Sequence, residues 1–313
     1  AQTRALQLFT DSGDLLGQGN ALTDLGRVYR LRGDLVAAED TQTRALQLFT
    51  DSGSLLGQGN ALNNLGYVCL LRGDLVAAED AHTRALQLSI DSGDLLGQGN
   101  ALNDLGRVYR ARGDLVAAED THTRALQLSI DSGSLLGQGN ALNDLGYVYR
   151  ARGDLVAAED THTRALQLSI DNGSLLGQAN AHLQLGIAYH LKREYDLATT
   201  QLNHAIRLFT RVEDIDGQAE THNALGDLTF DHPDAGDPHT HFTTALAQAR
   251  DCGTKLHEAN ALVGQARCLH RSGDTPHAIT LLRQALAIHH AIHAHEATHT
   301  ADLLQTLDPN KQF

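Results

Sequence analysis

The sequence predicts an all-α fold, an α-solenoid of helix–turn–helix repeats, on three observations. The first is internal repetition. Residues 81–120 and 121–160 differ only at Ala81/Thr121, Asp94/Ser134 and Arg107/Tyr147, a period of 40, and a fixed period of this size marks stacked supersecondary units that bury their faces against one another. Ala5, Ala45, Ala85, Ala125, Ala165, Ala205, Ala245 and Ala285 all fall on the period, as do Leu25, Leu65, Leu105, Leu145, Leu185 and Leu225. The second is helical spacing of apolar residues within each unit, interrupted by Gly-Asp. The third is composition. The 313 residues are 42% hydrophobic and 4% aromatic, with no Trp and no Met, so the core is built from Leu, Ala and Val.

Each unit reads in order as cap, helix, turn, helix. Asp14, or Ser54 one unit on, is a good N-cap. Leu22, Leu25, Gly26, Val28 and Tyr29 then fall on one helical face. Gly33 ends that helix and Asp34 caps the next, whose pattern runs through Leu35, Ala38, Ala45, Leu46 and Leu48 to a stop at Gly53. The Gly17-Gln18-Gly19 segment is expected to form a loose first turn. Gly26 recurs at Gly66, Gly106, Gly146, Gly186 and Gly226. A mid-helix Gly costs about 1 kcal/mol relative to Ala, so its recurrence predicts close helix–helix approach, with Ala38 and its copies as the expected neighbours. An 80-residue alternation (Arg27, Arg107 against Tyr67, Tyr147) points to duplication of a two-unit block.

The expected organisation is a solenoid over 1–290 with about seven repeats, regular over 1–200 and divergent over 201–290, followed by a capping helix and tail over 291–313. In the divergent part Arg193 replaces the turn Gly, and Pro233 and Pro238 interrupt the start of a second helix. Ala301, Leu304 and Leu307 keep helical spacing near the end, as suits the polar-faced terminal helix a solenoid requires. The chain begins at Ala1, within a repeat and without Met, and is expected to be a piece of a longer protein.

The core pattern Leu22-x-x-Leu25-Gly26-x-x-Tyr29, followed by Ala38 and Ala45, resembles the tetratricopeptide repeat. The resemblance is close over 1–200 and looser over 201–290, and it implies a right-handed superhelix. The period of 40 exceeds the family's usual 34 and is similar to the long-period arrays of kinesin light chain and Pins-type adaptors. The segment Gly97-Gln98-Gly99-Asn100-Ala101-Leu102-Asn103-Asp104-Leu105-Gly106 most resembles sensor arrays of bacterial signalling ATPases and transcriptional regulators. HEAT repeats have a similar period but lack the Leu-Gly-x-x-Tyr core.

Several function classes are disfavoured. With 38 acidic against 24 basic residues the formal charge is −14, the wrong sign for a general nucleic-acid binder, which displaces counterions with a basic surface. Cys69, Cys252 and Cys268 are widely spaced and form no C-x-x-C, which fits a reducing compartment and a cytoplasmic location. No apolar run of 18 residues suggests a membrane span. His295-Glu296-Ala297-Thr298-His299 matches H-E-x-x-H, but a catalytic zinc needs a third protein ligand, and only Asp302 and Asp308 are acidic in the residues that follow. The segment is read as a solvated capping helix, with no metal, cofactor or catalytic residue expected. Arg32-Gly33-Asp34 is read as the inter-helix turn rather than an adhesive motif.

The informative surface lies opposite the apolar stripe of each first helix, which the resemblance places in the concave groove. There one row is Asn20, Asn60, Asn100, Asn140, Asn180 and Asn260, and three residues on stand Asn63, Asn103, Asn143 and Asn223. Arg27, Tyr67, Arg107 and Tyr147, then Arg30, Arg110 and Arg150, form a flank. Carboxamides both donate and accept, which suits the backbone of an extended peptide, and the resemblance implies groove Asn used in this way. Arg adds charge-assisted bonds to acidic groups and would make the groove locally basic. The same rows also read as bonds between neighbouring helices, with Arg27 paired to Asp24 and Arg107 to Asp104 at i,i+3. The expected function is a non-enzymatic scaffold that binds a peptide or partner domain, with acidic groups of the ligand meeting the Arg flank, as a regulatory or sensor array. The alternative is a structural solenoid that self-assembles by end-to-end stacking into a dimer or filament.

Overall fold

A computed structural model describes residues 2–292, 294 and 296–308. The described residues are all-helical and fall into two compact units, divided between Arg152 and Gly153. The first holds α1 (Gln2–Ser12), α2 (Leu15–Leu31), α3 (Leu35–Asp51), α4 (Leu55–Leu71), α5 (Leu75–Asp91), α6 (Leu95–Ala111), α7 (Leu115–Asp131) and α8 (Leu135–Ala151). The second holds α9 (Leu155–Asp171), α10 (Leu175–Leu191), α11 (Tyr195–Arg211), α12 (Ile215–Asp231), a 3-10 turn (Pro233–Ala235), α13 (Pro238–Cys252), α14 (Lys255–Arg271), α15 (Thr275–Ala291) and α16 (Glu296–Leu307). Each unit is an α-solenoid in which successive antiparallel helices pack on their sequence neighbours.

The caps follow from the residues that begin and end each helix. The side chains of Asp14 and Ser54 accept from the backbone N–H of Gly17 and Gly57, and Asp34 accepts from Ala37, which satisfies a donor with no partner inside its helix. The turn glycines Gly33 and Gly53 stand at φ +75° and +72°, where a side chain would be strained. Arg193 occupies the equivalent turn in the second unit at φ +63°. Pro238 is the first residue of α13, capped by Asp237, whose carboxylate accepts from the N–H groups of His239 and Thr240. The proline therefore starts a 15-residue helix rather than breaking one.

The core repeats with the sequence. In the first unit Leu22, Ala45, Phe49 and Ala61 form one buried cluster, and Leu62, Ala85 and Ala101, then Leu102, Ala125 and Ala141, form the next two. In the second unit Phe209 is enclosed by Leu183, Leu202 and Leu228, while Leu304 of α16 closes a cluster with Ala266 and Leu282. The mid-helix glycines have a different neighbour from the one expected. A Cβ on Gly26 would lie 2.4 Å from Gln42 Nε2, and one on Gly106 would lie 2.5 Å from His122 Cε1. The close approach is thus to position 42 and its copies, not to Ala38. The first turn is also tight rather than loose, because a Cβ on Gly137 would meet Ser129 Oγ at 2.6 Å.

Ion pairs link successive hairpins. Glu39 pairs with Arg72, Glu79 with Arg112 and Glu119 with Arg152 in the first unit, and Glu159 pairs with Lys192 at 2.6 Å in the second. Tyr109 and Tyr189 add hydroxyl bonds to Glu79 and Glu159 at 3.2 and 2.9 Å. These pairs remain open to solvent on one side, so each contributes on the order of 1 kcal/mol.

Candidate functional site

The first unit carries a cleft of about 610 Å³ across α2, α4, α6 and α8. Asn20, Asn60, Asn100 and Asn140 all line it, each exposed and each the sixth residue of its helix. The floor includes Gly99, Ala125, Ser129 and Gly137. A Cβ on Gly99 would lie 3.5 Å from Ser129 Oγ and 3.6 Å from the Ala125 carbonyl, so small residues here bring α6 onto α7. This row presents its carboxamides to the cleft because the buried face of the same helices is taken by Ala and Leu, such as Ala101 and Leu102.

The second Asn row is turned inward. Asn63 is half-buried and Asn103 is buried. Asn103 Nδ2 donates to Asp144 Oδ2 at 2.6 Å, and its Oδ1 lies 2.8 Å from Nδ1 of the fully buried His122. A carboxamide oxygen only accepts, so His122 carries its proton on Nδ1. His82 repeats the contact with Asn63 at 3.3 Å. Arg107 donates from Nη2 to Asp144 at 2.8 Å and from Nη1 to Asp104 at 3.0 Å. The buried polar network therefore joins α6, α7 and α8, and it uses Asn103 and Arg107 as structural members.

The network sets its own protonation. Burial pushes the Asp144 carboxyl up, but the Arg107 charge and the hydrogen bonds from Arg107 and Asn103 outweigh it and hold Asp144 below the usual carboxylate range. The Asp144 charge in turn raises Arg107. Burial pushes His122 down to about 4, and His82 down as well, so both are neutral at pH 7.

The flank is engaged with itself. Arg30 lies over the Tyr67 ring at 4.7 Å, and Tyr147 receives Arg110 at 5.3 Å and Arg150 at 5.1 Å, cation–π contacts worth about 0.5–1 kcal/mol each where exposed. Arg27 is exposed in the cleft and makes no hydrogen bond or ion pair with any described residue. Asn143 is half-buried on α8, and Asn180 is half-buried on α10 in the second unit. The expected local basicity is absent, because Asp24 and Asp104 line the cleft together with Arg27 and Arg107. Sequence reasoning foresaw the Arg107–Asp104 pair but missed Asp144 and His122. The signal for Asp144 was the step of 37 residues from Arg107, one repeat less one helical turn.

His295 of the H-E-x-x-H segment lies outside the described residues, while His299 is exposed on α16. Among the described residues no group of three or more His, Cys, Asp or Glu could hold a metal ion, and no helix is long and apolar enough to cross a membrane.

Models of the tetratricopeptide repeat match residues 57–131 and 137–211, 261–291 and 19–41, together well over half of the chain. No curated protein matches the sequence. Among solved structures, apo RapI aligns at 12% identity with a TM-score of 0.68, covering 88% of this chain and 98% of that one. The Rap conjugation gene regulator of plasmid pLS20, solved in complex with the Phr* peptide, aligns at 15% identity with a TM-score of 0.69, covering 97% and 79%. A tetratricopeptide repeat protein from Parabacteroides merdae aligns at 19% identity with a TM-score of 0.56, covering 92% and 98%. At these identities the likeness is one of fold.

Proposed function

The chain belongs to the tetratricopeptide repeat family, and from that premise we propose that its first unit binds an extended peptide along the cleft, as a non-enzymatic interaction scaffold serving a regulatory or sensor array. One observation carries the reading: Asn20, Asn60, Asn100 and Asn140, 40 residues apart, line a single cleft and are exposed. An extended peptide leaves its N–H and C=O groups without partners, and a carboxamide answers both. Four identical side chains read backbone rather than sequence, so the row supplies affinity and the flanking residues supply specificity. The pLS20 Rap regulator holds a peptide on a related fold, which is consistent with the reading. Asn103 and Arg107 contribute by stiffening the cleft wall.

The test is binding to a fluorescein-labelled library of nine-residue peptides. The combined variant Asn20→Ala, Asn60→Ala, Asn100→Ala and Asn140→Ala is expected to lose binding while its helical circular dichroism stays unchanged. Equal binding by the variant contradicts the proposal. A second reading, self-association, is favoured by the repeated exposure of Val36, Val76 and Val116 at 75%, 75% and 72%. Light scattering over a concentration series decides it, and a constant monomer mass removes it.

A further inference from the structure

The second unit carries two imidazoles that face each other across one helix pair. His222 of α12 and His241 of α13 are both half-buried, and their Nδ1 atoms stand 3.3 Å apart. The ring centroids are 5.5 Å apart with the planes inclined at 29°, so the rings meet through their nitrogen edges rather than face to face. The repeat does not require histidine at either place. The position of His222 holds Leu22, Leu62, Leu102, Leu142 and Leu262 in other repeats, and that of His241 holds Thr41, Thr121 and Thr161. One repeat earlier the pair is His182 and Gln201, 2.6 Å apart from Nδ1 to Oε1, a contact in which the ring donates and the carboxamide oxygen accepts. At His222 and His241 that oxygen is replaced by a second imidazole nitrogen, and the pair becomes two potential metal ligands.

We propose that His222 and His241 bind a zinc ion through their Nδ1 atoms and so clip α12 to α13. Zinc holds imidazole nitrogens at about 2.0–2.1 Å in a tetrahedral shell, which sets two of them about 3.3–3.4 Å apart, the separation found here. A square-planar metal with similar bonds needs them nearer, at about 2.8–3.0 Å. No third His, Cys, Asp or Glu among the described residues joins the pair, so water completes the shell. Asp237, one turn before His241, is taken up by capping α13 and by Thr240 Oγ1 at 2.7 Å. In the bound form each ring carries its proton on Nε2, so the proton that lay between the two Nδ1 atoms moves to an Nε2 through solvent and none is released. The clip falls on an unusual hairpin. Residues 232–237 connect α12 to α13, six where the regular hairpins have three, such as 32–34, and a metal clip stabilises a longer connection more. The site belongs to the second unit and does not rest on the peptide-binding reading.

The probe is zinc chloride, titrated into the chelator-treated full chain and followed by calorimetry and by the thermal midpoint. One saturable site is expected, and zinc raises the midpoint. His222→Leu and His241→Thr install residues that other repeats carry at these positions, so the fold is kept, as helical circular dichroism verifies. Each is expected to weaken the site at least about tenfold, the lower end of what loss of even an outer partner costs a metal site, and to remove the zinc-dependent rise in midpoint. His182→Leu and His299→Ala leave the affinity and the rise unchanged. The latter separates this site from the histidine-rich segment near the C-terminus. Absence of zinc binding overturns the proposal. So does an affinity unchanged in either His222→Leu or His241→Thr, a midpoint rise that His222→Leu retains, or a site lost with His299→Ala.

Discussion

Replacing His122 by Gln isolates what the buried network contributes to the acid sensitivity of the fold. Gln is the residue that the same repeat position carries at Gln42, where Nε2 donates to the Thr23 carbonyl at 3.0 Å and the side chain is 1% exposed, so the substitution fits the slot. His122 is fully buried, with Nδ1 on Asn103 and Nε2 without a hydrogen-bond partner. Burial is the leading cause that lowers it to about 4 from an ordinary 6.5; Arg107 and Arg110 act in the same direction and the Asp144 charge acts against them. The unfolded chain takes up this proton near 6.5 and the folded chain only near 4. Between those values the unfolded state binds more protons, so stability falls as the pH falls. The full difference, at about 1.4 kcal/mol per tenfold in proton affinity, is about 3 kcal/mol. Urea unfolding followed by circular dichroism at pH 7, 6, 5 and 4 measures it. The wild-type chain is expected to lose about 3 kcal/mol more than His122→Gln between pH 7 and pH 4, with no difference in slope above pH 7. Parallel pH dependence in the two proteins refutes the reasoning.

Three further outcomes are expected. Gly106→Ala puts a Cβ 2.5 Å from the His122 ring and is expected to cost about 1–3 kcal/mol, whereas Gly99→Ala meets nothing nearer than 3.5 Å and gains up to about 1 kcal/mol of helix propensity; urea midpoints order the two variants. Arg193→Gly relieves a left-handed residue at φ +63° and should stabilise by about 1 kcal/mol, read as a higher thermal midpoint. Asp144→Ala leaves Asn103 Nδ2 without its acceptor and Arg107 with Asp104 alone; thermal unfolding should show a loss of about 3 kcal/mol.

The repeat architecture was legible because each unit states its own punctuation: a cap at Asp14 or Ser54, a stop at Gly33, a cap at Asp34. Apolar spacing then assigned Leu22, Ala38 and Ala45 to the core, where they are found. The exposed Asn row was legible for the same reason, since a helix with one apolar face presents the other. The second row was not, because Asn103 lies at the edge of that face and its surroundings depend on residues from two other helices, His122 and Asp144. Periodicity places a residue on its own helix but does not say what the neighbouring helix brings to it. The glycine at position 26 illustrates the same limit. Its cost announced a close contact, yet the partner is Gln42, four residues beyond the expected neighbour Ala38. The charge of the cleft likewise depended on pairing, since counting Arg27 and Arg107 without Asp24 and Asp104 gave the wrong balance.

A crystal structure of the protein with a library-selected peptide tests the central claim most directly. The account predicts the peptide extended across α2, α4, α6 and α8, with its backbone N–H and C=O groups bonded to the carboxamides of Asn20, Asn60, Asn100 and Asn140. A peptide seated elsewhere, or one in the cleft whose backbone those four side chains do not touch, would contradict it.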